Sequence, residues 1–156
     1  MAQIMKFWNY PNNGEGFHSY NHDEYGTLSA NFANTTYDWA SMPNVISASN
    51  NAVATLMYHC GVAVEMNYGP QSSGSYVILD YTQSPEQCSE YAYKTYFDYD
   101  ATTLKGLMRE NYTDTEWKNL LKADLDAGMP IQYAGFGQGG HTFVCDGYDN
   151  NYYFHM

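Results

Sequence analysis

The sequence has 156 residues, of which 44% are hydrophobic and 17% aromatic, enough to bury the core of one domain. Its 17 acidic residues outnumber the 6 lysines and arginines and give a net charge of −11, which excludes a basic surface for nucleic acid phosphates or for an anionic membrane. No apolar run reaches the roughly 20 residues of a membrane-spanning helix. We therefore expect neither nucleic acid nor a membrane as a partner.

The first segment has the apolar spacing of an α-helix that is already under way at Met1. Four apolar side chains fall on one face of this helix: Met1, Ile4, Met5 and Trp8. No Ser, Thr, Asp or Asn precedes it as a cap, and the sequence stops inside an aromatic, strand-like run at residues 152–156. The sequence is therefore expected to be a fragment that is truncated at both ends.

Residues 15–36 are polar and aromatic and have no sustained period, so we expect a long loop that carries a short pair of strands. His18 and His22 lie in this stretch. Their spacing of four could hold a metal ion on a helix, but nothing here is typical of a helix. The favoured interpretation is a pair of solvent-exposed loop histidines, and no metal site is expected.

A second helix is predicted over residues 44–60, where apolar positions follow a 3.6-residue period, with Gly61 as its left-handed cap. A short strand over residues 62–68 follows. Residues 69–75 then form a loop rich in glycine and serine, and such residues let an extended peptide backbone approach closely. The loop is either the wall of a binding cleft or an ordinary connector.

The middle of the chain alternates strand and helix signals. Residues 76–81 favour a strand, residues 85–96 a helix with Pro85 at its first position, and residues 103–112 a short strand. A Thr-x-x-Glu capping box then begins an amphipathic helix over residues 114–127. Four apolar residues form the expected buried stripe of this helix: Trp117, Leu120, Leu121 and Leu125.

The most informative stretch is a glycine-rich connection between two predicted strands, residues 129–136 and residues 141–145. His141 follows Gly139 and Gly140 directly, so its backbone is approachable from one side and its imidazole is expected to point into a cleft. This is the position of a general base. No helix follows the glycines, which excludes a phosphate-binding loop.

None of the three cysteines is a convincing nucleophile for this histidine. Cys60 lies at the C-terminal end of its predicted helix, where the helix dipole raises a thiol pKa, and we expect it in the core. Cys88 lies near a helix N-terminus, but two neighbouring glutamates raise its pKa. Cys145 lies four residues past His141 on the same strand, roughly 13 Å away.

Four stretches, in this order, resemble the streptopain family of bacterial cysteine endopeptidases: residues 1–11, residues 37–39 with 60–64, residues 66–75, and residues 139–148 with 153–156. The last stretch, with its Gly-Gly-His, is the most specific, whereas residues 76–90 depart from the family and look like an insertion. The resemblance implies an α+β, papain-like fold, truncated at both ends, in which helices pack on an antiparallel sheet. It implies one partial catalytic domain over residues 1–156.

The resemblance also implies the chemistry. His141 matches the imidazole of the family's Cys–His pair, whereas the family's nucleophilic cysteine precedes the first residue and its Asn and Trp follow the last, so the chain as given is expected to be inactive. The expected substrate is a protein or peptide, the expected location is outside the cell, no cofactor is expected, and a propeptide is possible. The residues expected to bind substrate are Tyr68, Gly69, Ser72, Ser73, Gly74, Gly139 and Gly140.

Two other interpretations remain open at this point. The chain could be a peptidase-like module that binds peptides without hydrolysing them. Alternatively, His141 could be a core histidine in an unrelated β-rich protein, which predicts that its side chain is buried.

Overall fold

The computed structural model describes all 156 residues, and the chain divides into two compact units, Met1–Gly106 and Leu107–Met156. Four α-helices accompany three two-stranded antiparallel sheets, so the prediction of an α+β fold is confirmed. The longest helices have 13 residues, and none has the length and apolar character required to cross a bilayer.

The first unit is built around one central helix. Its elements are α1 (Ala2–Trp8), β1 (Phe17–His22), β2 (Gly26–Asn31), α2 (Asn51–Ala63) and α3 (Ser89–Tyr96). Helix α2 contacts α1, α3 and both strands, so its buried residues form the centre of the core. Phe32 and Phe97 are fully buried beside it, with ring centroids 5.5 Å apart.

Helix α1 is present as predicted, but its predicted apolar face is only partly buried. Ile4 and Met5 are buried, whereas Trp8 is 46% exposed. The helix ends directly after Trp8 because Asn9 adopts a left-handed conformation, with φ 48°. A helix of seven residues makes two turns, and only its first turn and a half reaches the core.

The prediction of helix α2 was wrong at both ends. The helix begins at Asn51 rather than at residue 44, because the side chain of Asn50 accepts a hydrogen bond from the Val53 amide at 2.9 Å and caps it. It continues through Gly61 to Ala63, so Gly61 is an interior helical residue. The strand predicted over residues 62–68 is absent, since its first residues complete the last helical turn.

Residues 17–31 form a regular hairpin, not a long loop. Six residue pairs join β1 to β2, from Phe17–Asn31 to His22–Gly26, which confirms the predicted strand pair. The prediction of solvent-exposed histidines was wrong, since His22 is only 8% exposed. The strand places His18 and His22 on one face, where both contact protein groups.

The segment between α2 and α4 contains less regular structure than predicted. Tyr76 forms a single parallel bridge with Cys88, and the rest of the predicted strand at residues 76–81 is largely a 3₁₀ turn. A second 3₁₀ turn, Pro85–Gln87, precedes α3 because Cys88 is extended, with φ −137°. The strand predicted over residues 103–112 is absent, and a 3₁₀ turn lies at Arg109–Asn111.

The second unit contains α4 (Asp114–Asp126), β3 (Ile131–Phe136), β4 (Gly140–Cys145) and the short pair β5 (Gly147–Tyr148) and β6 (Phe154–His155). The predicted capping box is confirmed: the Thr113 hydroxyl accepts the Glu116 amide and the Glu116 carboxylate accepts the Thr113 amide. Of the predicted stripe on α4, only Leu121 is buried. The helix is amphipathic, but its apolar side is partly open to solvent.

Candidate active site

His141 is the second residue of β4 and is exposed to solvent. It lies opposite Gly135 in the antiparallel ladder with β3, so no side chain stands across the strand from its imidazole. The alternative interpretation, in which His141 is a buried core histidine of an unrelated β-rich protein, was therefore wrong. The ring is accessible, as a group that exchanges protons with a substrate must be.

A row of aromatic rings supports one flank of His141. Its ring centroid is 6.0 Å from that of Phe143, which is two residues further along β4 and therefore on the same face. Phe143 stacks on Tyr133 of β3, with 5.7 Å between centroids and 19° between planes. The Tyr133 hydroxyl in turn accepts a hydrogen bond from the Trp117 indole of α4 at 3.1 Å. The row links the imidazole to the helix of this unit and limits the positions that its ring can take.

The turn between β3 and β4 consists of Gly137, Gln138 and Gly139, and the Gly137 amide donates to the Gly139 carbonyl at 2.9 Å. Gly140 is sterically constrained, because a Cβ there would lie 3.1 Å from the ring of Phe136. No neighbouring atom lies within 4 Å of the corresponding position at Gly139. The backbone before His141 is therefore open at Gly139 and covered on one side at Gly140.

All three cysteines are free and buried. Cys60 is 8% exposed and Cys88 and Cys145 are fully buried. Burial raises the pKa of all three thiols, that of Cys60 to about 11. Cys88 does lie at the N-terminus of α3, yet a thiol enclosed in this way can neither ionise readily nor reach a substrate carbonyl. The expectation that Cys60 lies in the core is confirmed.

The glycine- and serine-rich loop of the first unit is closed by a backbone bridge. Asn67 and Gly74 exchange two hydrogen bonds, at 3.0 and 3.2 Å, and we call residues 67–74 the 67–74 loop. Ser72, Ser73 and Gly74 are exposed, and the Ser73 hydroxyl accepts the Gly69 amide at 3.4 Å. The loop thus presents small side chains and backbone groups to solvent on a closed frame.

Tyr68 is held more firmly than its neighbours in this loop. Its ring lies against the backbone of α2 at Gly61, where an added Cβ would approach the Tyr68 hydroxyl to 1.8 Å. Burial raises the pKa of Tyr68, so its hydroxyl stays protonated. Gly69 is also constrained, because a Cβ there would lie 2.8 Å from the Ser72 carbonyl oxygen. These contacts explain why position 61 of α2 and position 69 of the loop are both glycines.

Tyr68 is also bound by His22 of β1, whose Nε2 lies 3.0 Å from the Tyr68 carbonyl oxygen, a contact that was not predicted from the sequence. The missed signal was the alternation of His18, Tyr20 and His22 ahead of a turn and Gly26, which is typical of a strand with one buried face.

The fold is that of a cysteine protease. The chain superposes on Prevotella intermedia interpain A, described as an active wild-type cysteine protease, with a TM-score of 0.83 and 38% identity over 98% of this chain and 65% of that one. It superposes on a fragment of prointerpain A from the same species with a TM-score of 0.77 and 40% identity, over 95% of this chain and 47% of that one.

The family follows from the whole sequence. The model of the Peptidase C10 family matches residues 1–156, and the chain belongs to this family of cysteine peptidases. It is 32% identical to the thiol protease/hemagglutinin PrtT of Porphyromonas gingivalis over the whole chain and 18% of that protein. It is 31% identical to streptopain of Streptococcus pyogenes over 99% of the chain and 40% of that protein. The resemblance to the streptopain family and the papain-like α+β fold are thereby confirmed, and the chain spans two fifths or less of these two relatives.

Proposed function

We propose that this chain supplies the imidazole of a cysteine endopeptidase, with His141 as the general base and acid of a Cys–His pair. In such a pair the imidazole takes the thiol proton, the thiolate attacks the carbonyl carbon of the peptide bond, and the imidazolium protonates the departing amine. Water then releases the acyl group from the sulfur. The observation that carries the proposal is the solvent-exposed ring of His141, flanked by Phe143, in a chain of the Peptidase C10 family.

The nucleophile of this pair is a cysteine outside these 156 residues. The burial of Cys60, Cys88 and Cys145 and their raised pKa values support this part of the proposal. Without a nucleophile, a site of this type loses most of its rate acceleration. These residues alone therefore do not hydrolyse peptide bonds, although they retain the general base.

The substrate is a protein or peptide that binds in extended form, and the chemistry needs no cofactor. The residues that bind it are Tyr68, Gly69, Ser72, Ser73 and Gly74 of the 67–74 loop, with Gly139 and Gly140 before the histidine. Five of these residues, Ser72, Ser73, Gly74, Gly139 and Gly140, are small and exposed, which supports the assignment because a peptide strand can approach and hydrogen-bond to the backbone of such residues. Resemblance to streptopain further suggests one catalytic domain in a secreted enzyme that is made with a propeptide.

A second candidate function is peptide binding without hydrolysis. It is favoured by the same burial of all three thiols, since a chain with an open loop and no accessible nucleophile can still hold a peptide.

Thiol alkylation separates the two functions and tests the nucleophile. The native protein, as the organism makes it, is treated with iodoacetamide, its residual hydrolysis of casein is measured, and the labelled cysteine is identified by mass spectrometry. We expect hydrolysis to be lost when one thiol outside Cys60, Cys88 and Cys145 is labelled. Loss of hydrolysis on labelling of one of these three would contradict the proposal. A native protein that binds casein peptides but never cleaves them would establish the second candidate.

A further inference from the structure

Alternate side chains of β1 bind the segment that leads from α2 into the 67–74 loop. These residues share one face of the strand because side chains alternate along it. Each makes one polar contact with this segment: His18 Nε2 to the Glu65 carboxylate at 3.1 Å, the Tyr20 hydroxyl to the Met66 carbonyl at 2.8 Å, and His22 Nε2 to the Tyr68 carbonyl at 3.0 Å. We call the side chains of His18, Tyr20 and His22 the β1 anchor.

The β1 anchor rests on a firm base. Strand β1 is paired with β2 along its whole length, and both strands contact α2. Burial raises the pKa of Tyr20 to about 12, so its hydroxyl remains a hydrogen-bond donor to Met66. The β1 anchor therefore connects the residues that lead into the 67–74 loop to a strand that is packed on α2.

The hydrogen bonds of His22 define which of its nitrogens carries the proton. Its Nδ1 accepts the backbone amides of Glu24 and Tyr25, at 3.1 and 3.2 Å, and so must present a lone pair. The hydrogen of the neutral ring is then on Nε2, which donates to the Tyr68 carbonyl. Tyr25 stacks on the ring with 4.9 Å between centroids. One buried imidazole thus joins the turn of the hairpin to the first part of the 67–74 loop.

The hydrogen bond from His22 to the Tyr68 carbonyl lies where it can orient the 67–74 loop. Tyr68 lies between Asn67, which closes the backbone bridge with Gly74, and Gly69, whose amide binds Ser73. The Tyr68 ring is fixed against Gly61, and His22 fixes its carbonyl. With both ends of one residue held, the plane of the following peptide is set.

We propose that His22 is a positioning residue for the 67–74 loop: its neutral, Nε2-protonated ring holds the Tyr68 carbonyl and so places the backbone that receives the substrate. The inference rests on the proposed substrate-binding function of that loop. His22 contacts no reacting atom and acts only through Tyr68.

Two substitutions separate the two sides of the imidazole. In His22→Asn, the side-chain oxygen is two covalent bonds from Cβ, as Nδ1 is. It can therefore still accept hydrogen bonds from the turn amides, but the hydrogen bond to the Tyr68 carbonyl is lost. In His22→Gln, the side-chain amide nitrogen has the same bonding distance from Cβ as Nε2, so it keeps the bond to Tyr68 but loses the acceptor for the turn. The two variants are therefore controls for each other, and thermal unfolding checks that both are folded.

The measurements are the KM and kcat of the native protein for a fluorogenic casein-derived peptide, and the hydrogen exchange of the amides of Asn67 and Gly74. For His22→Asn we expect a KM about 3- to 10-fold higher, equivalent to one lost hydrogen bond, an unchanged kcat, and faster exchange at both amides. For His22→Gln we expect a KM and loop exchange close to those of the wild type, with faster exchange at Glu24 and Tyr25.

Failure of the proposed role of His22 can be distinguished from failure of the proposed peptidase function. The dissociation constant of the same peptide, measured by fluorescence anisotropy in a His141→Ala background, replaces KM if the native protein does not hydrolyse it. Failure of hydrolysis with retained binding would then overturn the proposed peptidase function and leave the role of His22 to be decided by the two variants. Equal effects of both variants on peptide affinity, or faster loop exchange without a change in affinity, would overturn the role of His22.

Discussion

The β3–β4 hairpin that carries His141 and the 67–74 loop are held in different ways. The hairpin is stabilised by its own six-pair ladder and by rings from residues close to it in the sequence. The loop and the residue before it are held by side chains of β1 that are 46 residues away in the sequence: Tyr20 binds Met66 and His22 binds Tyr68. His141 is therefore positioned by contacts within its own unit that are close in sequence, whereas the 67–74 loop is positioned by polar contacts from a distant strand.

The largest expected effect on the hairpin comes from removing the ring of Phe143 beside the His141 imidazole. We expect Phe143→Ala to lower kcat by roughly 10- to 100-fold with little change in KM, because a catalytic group that shifts by about 1 Å loses rates of this order. Steady-state kinetics of the native protein with a fluorogenic peptide measure both constants.

The matched control is Tyr133→Phe, which keeps the ring that stacks on Phe143 and removes only the hydroxyl that binds Trp117. A control that loses as much kcat as Phe143→Ala would show that the aromatic contact with His141 has no special effect.

The position of the 67–74 loop is tested by Gly61→Ala, which disturbs the contact between Tyr68 and α2. The new Cβ would overlap the Tyr68 hydroxyl, so the ring must leave α2, and we expect KM to rise several-fold, while kcat is retained. Stability should change little, because alanine gains about 1 kcal/mol in helix propensity against a comparable overpacking cost. Gly147→Ala, at a glycine with open space around it, is the control, and an unchanged KM in Gly61→Ala would contradict the fixed position of Tyr68.

These contrasts also explain what the sequence could and could not predict. The hairpin at His141 and the capping box at Thr113 were predicted because their signals are contiguous. The role of Gly61 was not, since it makes room for the ring of Tyr68 inside the helix instead of capping it. The burial of His22 was missed because its partner lies far away in sequence. Val45 and Ile46 extend the apolar period of α2 in the sequence, but both are exposed in the structure, and the helix instead begins after the cap at Asn50.

A smaller effect, on stability alone, is expected in the second unit when the capping box of α4 is removed. We expect Thr113→Ala to lower the free energy of unfolding by about 1 kcal/mol, the usual cost of losing a helix N-cap, and to leave kcat and KM unchanged. Urea denaturation measures the difference. Thr115→Ala, at an exposed position of the same helical turn, should change stability by less than about 0.5 kcal/mol. Equal losses in both variants would show that the capping box does not stabilise α4.

The smallest expected effect concerns Glu90 in the first unit. Burial alone would raise its pKa, but hydrogen bonds from the Leu79 amide at 3.0 Å and Lys94 at 2.6 Å outweigh burial and lower it. Since the folded-state pKa is depressed, this stabilisation is present above the unfolded-state pKa and is lost as pH falls through the folded-state value. Glu90→Gln should therefore cost roughly 0.5–1 kcal/mol near neutral pH.

The pH dependence provides the check on this assignment. Thermal unfolding of the wild type and of Glu90→Gln should converge as the solution is acidified, because both then carry a neutral side chain at this position. A difference that stays constant down to low pH would mean that the charge of Glu90 does not contribute.

The proposed role of His141 is tested by comparing four variants of the native protein in the hydrolysis of one fluorogenic peptide: His141→Ala, Cys60→Ala, Cys88→Ala and Cys145→Ala. We expect His141→Ala to lower kcat/KM by at least about 1,000-fold, as removal of a triad-type base does, while each folded cysteine variant stays within about threefold of the wild type. Retained hydrolysis in His141→Ala, or its loss in a folded cysteine variant, would contradict the assignment of His141 as the imidazole of a pair whose thiol lies outside these residues.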